Sequence, residues 1–212
     1  MQSLTEYLDT IPQGRLGIIA MKGCEELAKR VSDQIVECRA KFESENESNL
    51  HLKGYHRDSY IISATFPRFS TGEGKAVINE SIRGYDLFII TDCFNYNVKY
   101  KMYDLKDANG EPLMVPMSPD DHFADLKRVI SACAGKAKRI TVIMPMLYEG
   151  RQHKRSGRES LDCAMMLREL EFYGVKNFIT FDAHDDRVQN AIPLIGFDNY
   201  RPTYQMVKAL VK

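Results

Sequence analysis

Short unbroken apolar runs alternate along the chain with segments whose apolar residues recur every three or four positions. This pattern predicts strands that feed amphipathic helices. Leu16 to Met21 is such a run, and beyond Gly23 the residues Cys24, Leu27, Val31, Ile35 and Cys38 keep helical spacing. Glu43 to Asn49 holds only Glu, Ser and Asn and reads as an exposed loop. Tyr60 to Phe66 and Lys75 to Ile78 read as strands around a turn containing Gly72 and Gly74. Leu87 to Thr91 is a strand whose Leu-Phe-Ile-Ile lettering suits cover on both faces. Between Asp92 and Met117 no period can be read, and the segment is expected to be an irregular excursion. Ser118 then supplies an N-cap, Pro119 the first helical position, and Asp120 and Asp121 carboxylates at the positive helix end. That helix should run to about Ala134 and stop at Gly135. Arg139 to Met146 reads as the central strand, Glu159 to Tyr173 as a helix closed by Gly174, Asn177 to Asp182 as a strand and Pro202 to Val211 as a last helix.

Successive strand-helix alternations demand right-handed crossovers. The expected fold is therefore α/β, a mostly parallel sheet flanked by helices in three α/β/α layers, with residues 1–212 forming one domain. In such folds ligands gather at the carboxyl ends of strands, which singles out the loops after Met146 and after Asp182.

Composition narrows the function classes. The 212 residues carry 29 basic and 29 acidic side chains, so no global field draws in DNA, RNA or an anionic membrane, and any anion site must be a local cluster. Cys24, Cys38, Cys93, Cys133 and Cys163 show no paired spacing and an odd count, which suits free thiols in a reducing cytoplasm. Met1 to Ile11 lacks the basic and apolar runs of a signal peptide, and Ile140 to Leu147, the longest apolar stretch, is too short to span a membrane.

Chemistry concentrates at the two loops. Arg151, Lys154, Arg155 and Arg158 place four permanent cations within eight residues, a cluster able to grip phosphate oxygens or simply to be a solvated loop. Nucleic acid is a further reading, though the loop lacks interleaved aromatics. Asp182 and His184, two apart at a strand end, should face one ligand together and can hold a cation or a water. Otherwise Asp182 caps a turn and His184 is a surface histidine. Zinc is disfavoured because further ligands are absent nearby, whereas a magnesium ion held by waters and phosphates needs few protein groups. Phe69 to Glu73 forms a turn with an aromatic that either packs locally or stacks on a base. A P-loop and a dinucleotide glycine fingerprint are both missing, and neither Ser160 nor Cys163 has an identifiable partner base.

Taken in order, Arg68-Phe69-Ser70-Thr71-Gly72-Glu73, Asn79-Glu80-Ser81-Ile82-Arg83-Gly84-Tyr85-Asp86, Arg151-Gln152, Arg158-Glu159 and Asp182-Ala183-His184 resemble the amino-terminal half of ribose-phosphate pyrophosphokinase, the phosphoribosyl pyrophosphate synthetase family. The likeness runs from about Pro67 to Asn199 and is weak over the excursion. It implies a phosphoribosyltransferase-like fold and transfer of a diphosphoryl group from Mg-ATP to ribose 5-phosphate, giving phosphoribosyl pyrophosphate and AMP. It also implies that Arg151 and Gln152 contact ATP, and that Asp182 and His184 lie at the Mg2+ and phosphates, with His184 catalytic. Phe69 and Glu73 are implied to reach the adenine of a neighbouring subunit's ATP, which makes a homo-oligomer the expected state.

Departures from the family pattern fall at the same places. Thr71 and His153 stand where Asp is usual, and Asp185 and Asp186 stand where Ala-Pro is usual. The two acids are expected to raise the negative charge beside His184. The family's second half, which binds ribose 5-phosphate and carries a mobile loop with catalytic Lys and Arg, is expected to be absent, leaving the ATP-side half of an enzyme that is inactive alone. The alternative is a non-catalytic, synthetase-associated regulatory or assembly subunit.

Overall fold

The computed structural model describes residues 13–45, 57–133 and 135–211. Five parallel strands form the main sheet in the order β1-β4-β7-β8-β9: β1 (Arg15–Ala20), β4 (Tyr85–Ile90), β7 (Arg139–Ile143), β8 (Asn177–Phe181) and β9 (Gly196–Tyr200). Helices α1 (Glu25–Glu45), α2 (Pro119–Cys133) and α3 (Asp162–Phe172) are the crossovers, and α4 (Thr203–Leu210) follows β9. Successive strand residues point to opposite faces, and the core divides accordingly. Ile18 and Ile90 join Cys24 and Ala28 of the α1 side, whereas Ile19, Leu87, Ile89, Val142 and Phe178 join Leu126, Val129 and Ile130 of α2 and Leu167 and Leu170 of α3. The α/β fold with helices on both sides is therefore as expected, and Leu87, Ile89 and Ile90 are almost wholly buried.

The expected cap of α2 is present as a reciprocal pair: Asp121 N–H donates to Ser118 Oγ at 3.1 Å, and Ser118 N–H donates to Asp121 Oδ2 at 2.9 Å. Several boundaries move. Tyr60 to Phe66 contributes only β2 (Ala64–Thr65), paired with β3 (Val77–Ile78), while Tyr60 and Ile62 exchange backbone hydrogen bonds with Ile18 at the edge of β1. α1 continues to Glu45, into the segment expected to be loop, and the rest of that segment and Met1 to Ile11 lie outside the described residues. α3 begins at Asp162 rather than Glu159. β9 is additional; its glycine start and alternating exposure hide it from any search for an apolar run.

The excursion is the main correction. Asp92 to Met117 is not irregular: it contains an antiparallel hairpin, β5 (Lys99–Lys106) with β6 (Pro112–Pro116), turned at Asp107–Gly110 with Gly110 at φ 81°. Its apolar alternation is faint because much of it is exposed. Tyr100 and Met102 nevertheless turn inward against the turn at Gly72, and Asp104 N–H donates to Ser70 O at 3.2 Å. That turn is clamped from the other side by Asp125 of α2, whose buried carboxylate accepts from Arg68 and from Arg128, both at 2.6 Å. The Arg68 guanidinium also lies 4.7 Å from the centre of the Tyr100 ring. Gly74 lets the turn approach α2, since a Cβ there would stand 2.7 to 2.8 Å from Arg128, Asp125 and Arg68.

Two expectations follow. Asp125→Ala strands two guanidinium groups, one of them buried, and should cost roughly 3–5 kcal/mol, read in urea as a lower midpoint at unchanged slope; an unchanged midpoint contradicts the clamp. Burial pushes the Cys24 and Cys93 thiols up to about 12 and those of Cys133 and Cys163 up to about 11, while Cys38 is exposed. A thiol reagent at pH 8 should therefore modify one cysteine rapidly in the native chain and all five in denaturant.

Candidate functional site

Because the main-sheet strands are parallel, their carboxyl ends share one edge, and the loops after β4, β7 and β8 open there onto a cavity of about 740 Å³. The loop after β4 contributes Phe94 and Tyr96, the start of α2 contributes Pro119 and Asp120, the loop after β7 contributes Met146 to Arg151, and the tip of β8 contributes Phe181 to His184. Among the described residues, Glu149 at φ 57° and Asp182 at φ 49° are the non-glycine residues in left-handed backbone, and both line this cavity. Such strain persists only where the surroundings hold it. For Asp182 they do: its N–H donates to Tyr200 O, and the Ala183 N–H donates to Asn199 Oδ1, both at 3.0 Å.

The residues divide by whether their polar atoms are already engaged. Among the described residues, the guanidinium of Arg151, the carboxylate of Asp182 and the imidazole of His184 make no hydrogen bond, and all three line the cavity. Their neighbours are committed. Gln152 does not line the cavity, and its amide donates to Ser160 O at 2.7 Å and Lys154 O at 3.4 Å, holding the basic loop in shape. His153 sits with one ring nitrogen 3.1 Å from Arg151 O and the other 3.3 Å from Asp185 Oδ2, its ring edge-on to His184 with centroids 5.1 Å apart. Asp185 also caps the short 3-10 turn Asp186–Ala191 and accepts from the Arg187 guanidinium at 2.6 Å, while Asp186 pairs with Asn199 and Arg201. The expectation that Asp185 and Asp186 raise the negative charge beside His184 is therefore corrected: each is matched by a guanidinium.

Phe69 and Glu73 stand apart from the cavity. Phe69 N–H donates to Glu73 O at 2.8 Å, Thr71 Oγ donates to Glu73 Oε2 at 2.9 Å, and the Phe69 ring is 55% exposed. The structure thus brings together Arg151, Asp182 and His184, and leaves Phe69, Glu73 and Gln152 outside their cavity. Sequence reasoning missed Phe94, Tyr96 and Tyr148. The strand-end rule applies to β4 as much as to β7 and β8, but the lettering of the excursion obscured it. Tyr148 is buried with its hydroxyl donating to Asp120, and burial together with that carboxylate pushes the phenol far above its usual value, so it remains a donor.

The model of the family described as the N-terminal domain of ribose phosphate pyrophosphokinase matches residues 16–174. The chain belongs to this family. It is 32% identical over 142 residues to ribose-phosphate pyrophosphokinase 1 of Schizosaccharomyces pombe, covering 66% of this chain and 29% of that protein. It is 29% identical over 133 residues to the ribose-phosphate pyrophosphokinase of Mycobacterium tuberculosis, covering 62% of this chain and 34% of that protein. Among solved structures, the phosphoribosylpyrophosphate synthetase of Mycobacterium smegmatis matches with a TM-score of 0.64 at 21% identity, over 92% of this chain and 51% of the other. This supports the phosphoribosyltransferase-like α/β fold, and the named relatives make the pyrophosphokinase family one of enzymes. The chain spans about a third of the length of these curated relatives and about half that of the solved synthetase.

The pairing at the cavity rim has a titration signature. Hydrogen bonds from the Arg187 side chain and backbone, ahead of other causes, hold the Asp185 carboxyl well below the usual carboxylate range. Because the folded value is lowered, the associated stabilisation is present above the ordinary value of about 3.9 and is lost as pH falls below it. Carboxyl-carbon NMR should find Asp185 ionised where ordinary aspartates have protonated, and Arg187→Ala should bring its midpoint back toward them. An ordinary midpoint in the parent protein contradicts the pairing.

Proposed function

We propose that this chain is the ATP-side half of a ribose-phosphate diphosphokinase, whose reaction moves the diphosphoryl group of Mg-ATP to the anomeric hydroxyl of ribose 5-phosphate, giving phosphoribosyl pyrophosphate and AMP. One observation carries the reading: Arg151, Asp182 and His184, uncommitted among the described residues, line one cavity at neighbouring strand ends in a chain of this family. Phosphoryl-type transfer asks a protein for positioned charge more than for covalent help. Arg151 donates to phosphate oxygens as a planar fork. His184 donates a ring N–H to the transferring group, and Asp182 supplies a carboxylate for Mg2+. The described residues form no cluster of three or more His, Cys, Asp or Glu able to cage a metal, so the donor set fits an ion that takes most of its ligands from phosphate and water. Magnesium bound there neutralises charge on the phosphate oxygens.

Gln152 shapes the loop that presents Arg151. Phe69 and Glu73, outside the chain's own cavity, reach the adenine of a neighbouring subunit's nucleotide in a homo-oligomer. Ribose 5-phosphate is held by the complementary half of the enzyme, and the free thiols suit a cytoplasmic setting. No described helix is long and apolar enough to cross a membrane. A second reading, a non-catalytic synthetase-associated subunit, is favoured by His153 and Asp185, which pair with each other at positions where the family usually carries other residues. There Arg151→Ala alters assembly or regulation and leaves the rate of a joined synthetase unchanged.

Calorimetric titration with magnesium-ATP tests the site. Arg151→Ala and His184→Ala should each weaken binding by roughly 10- to 100-fold, the span expected when a charge-assisted hydrogen bond is lost. Equal binding by the parent and both variants overturns the assignment.

A further inference from the structure

Four aromatic side chains line the cavity, and they differ in what they touch. Tyr148 stacks on Phe123 with centroids 4.9 Å apart, and Phe181 meets Tyr200 at 6.2 Å. Phe94 and Tyr96 have no ring or cation partner among the described residues; Phe94 is half-buried with part of its surface on the core, and Tyr96 is 56% exposed. Their place at the mouth of a charged cavity gives both rings a face that a planar ligand entering it can stack on.

The loop bearing these rings is held by hydrogen bonds between its backbone and nearby side chains and backbone. Phe94 N–H donates to Asp92 Oδ1 at 2.9 Å, Asn97 N–H to Asn95 Oδ1 at 3.1 Å, and Met117 N–H to Val98 O at 2.8 Å. The buried His122 of α2 reaches Asn95 O through Nε2 at 3.0 Å. Rings carried on a fixed backbone lose little entropy when a ligand stacks on them. Their place in the sheet order matters as well. Phe94 and Tyr96 follow β4, Asp182 and His184 end β8, and β7 with Arg151 beyond it lies between. Strands lie about 4.8 Å apart, so the ends of β4 and β8 stand roughly 10 Å from one another.

We propose that Phe94 and Tyr96 form an aromatic wall that holds the base of the nucleotide whose phosphates meet Arg151, Asp182 and His184. This rests on the proposed function and adds a base contact supplied by the chain itself. The ligand class is a planar heteroaromatic ring joined to a polyphosphate, with the ring over β4 and the phosphates over β7 and β8. A stacking wall has no hydrogen-bond code, so it accepts any purine ring of suitable size.

The test compares magnesium-ATP with magnesium-tripolyphosphate, which has the anion but no ring, by calorimetry on the 212-residue chain. The parent should bind the nucleotide more tightly. Tyr96→Ala and Phe94→Ala should each weaken the nucleotide by about 5- to 100-fold while leaving tripolyphosphate unchanged, and Tyr96→Phe should retain parent affinity. Tyr96→Ala removes an exposed ring, so it remains informative if Phe94→Ala fails to fold. Unchanged nucleotide affinity in Tyr96→Ala overturns the wall, as does an equal loss for both ligands. A nucleotide preference that survives Tyr96→Ala and vanishes in Phe69→Ala also overturns it, in favour of a neighbouring subunit. If the parent binds tripolyphosphate as well as ATP, the wall alone fails; if it binds neither, the nucleotide site fails and the wall with it.

Discussion

Parallel pairing of the main sheet is the constraint on which the rest depends. Parallel neighbours need a crossover between them, and each crossover helix must return across a face of the sheet. Here α1 covers one face and α2 and α3 the other, so both carry apolar side chains and water is kept from the strands. The same constraint sends all five carboxyl ends to one edge. At that edge the carbonyls of Ile90, Ile143 and Ile179 accept from the N–H groups of Met21, Thr91 and Met144, and the cavity forms among the loops beyond rather than in the core.

In and around the cavity, charge is sorted by commitment. Asp185 and Asp186 are bound to Arg187 and Arg201, Gln152 to loop carbonyls, and Tyr148 to Asp120. These contacts leave Arg151, Asp182 and His184 to face the open space. A group whose hydrogen bonds are satisfied locally gives little to a ligand, since forming a new contact means giving up an existing one. His153 joins both sets, linking the Arg151 carbonyl to Asp185 while its ring edge lies against His184.

Much of this was legible in the sequence, for reasons that can be named. The run Leu87 to Ile90 is apolar on both faces, and Arg139 to Ile143 is Ile- and Val-rich with a buried Thr141, the lettering that suits a covered parallel strand. Ser118 and Asp121 announced the start of α2 through capping chemistry that acts within a few residues. Arg151, Asp182 and His184 could be placed at one sheet edge because strand ends are predictable once strands are. The hairpin and β9 were not found, since their burial comes from distant partners: Tyr100 and Met102 are covered by a turn some thirty residues earlier in the chain. Phe94 and Tyr96 belong to the same blind region. The neutralisation of Asp185 by Arg187 depends on side-chain direction, which spacing does not encode.

The hairpin joins the cavity at its base and the Phe69 turn along its flank. Val98 and Met117 are hydrogen-bonded where it departs, and Ser70 and Asp104 are hydrogen-bonded farther out. Beyond those anchors its end, Asp107–Gly110, closes on itself, with Asp107 accepting from Asn109 and Glu111. The two ends of this projection therefore tolerate change very differently. Residues inserted at the outer bend leave both anchors where they are, whereas a single residue added near Val98 shifts every inward side chain to the opposite face and releases the Phe69 turn from its cover.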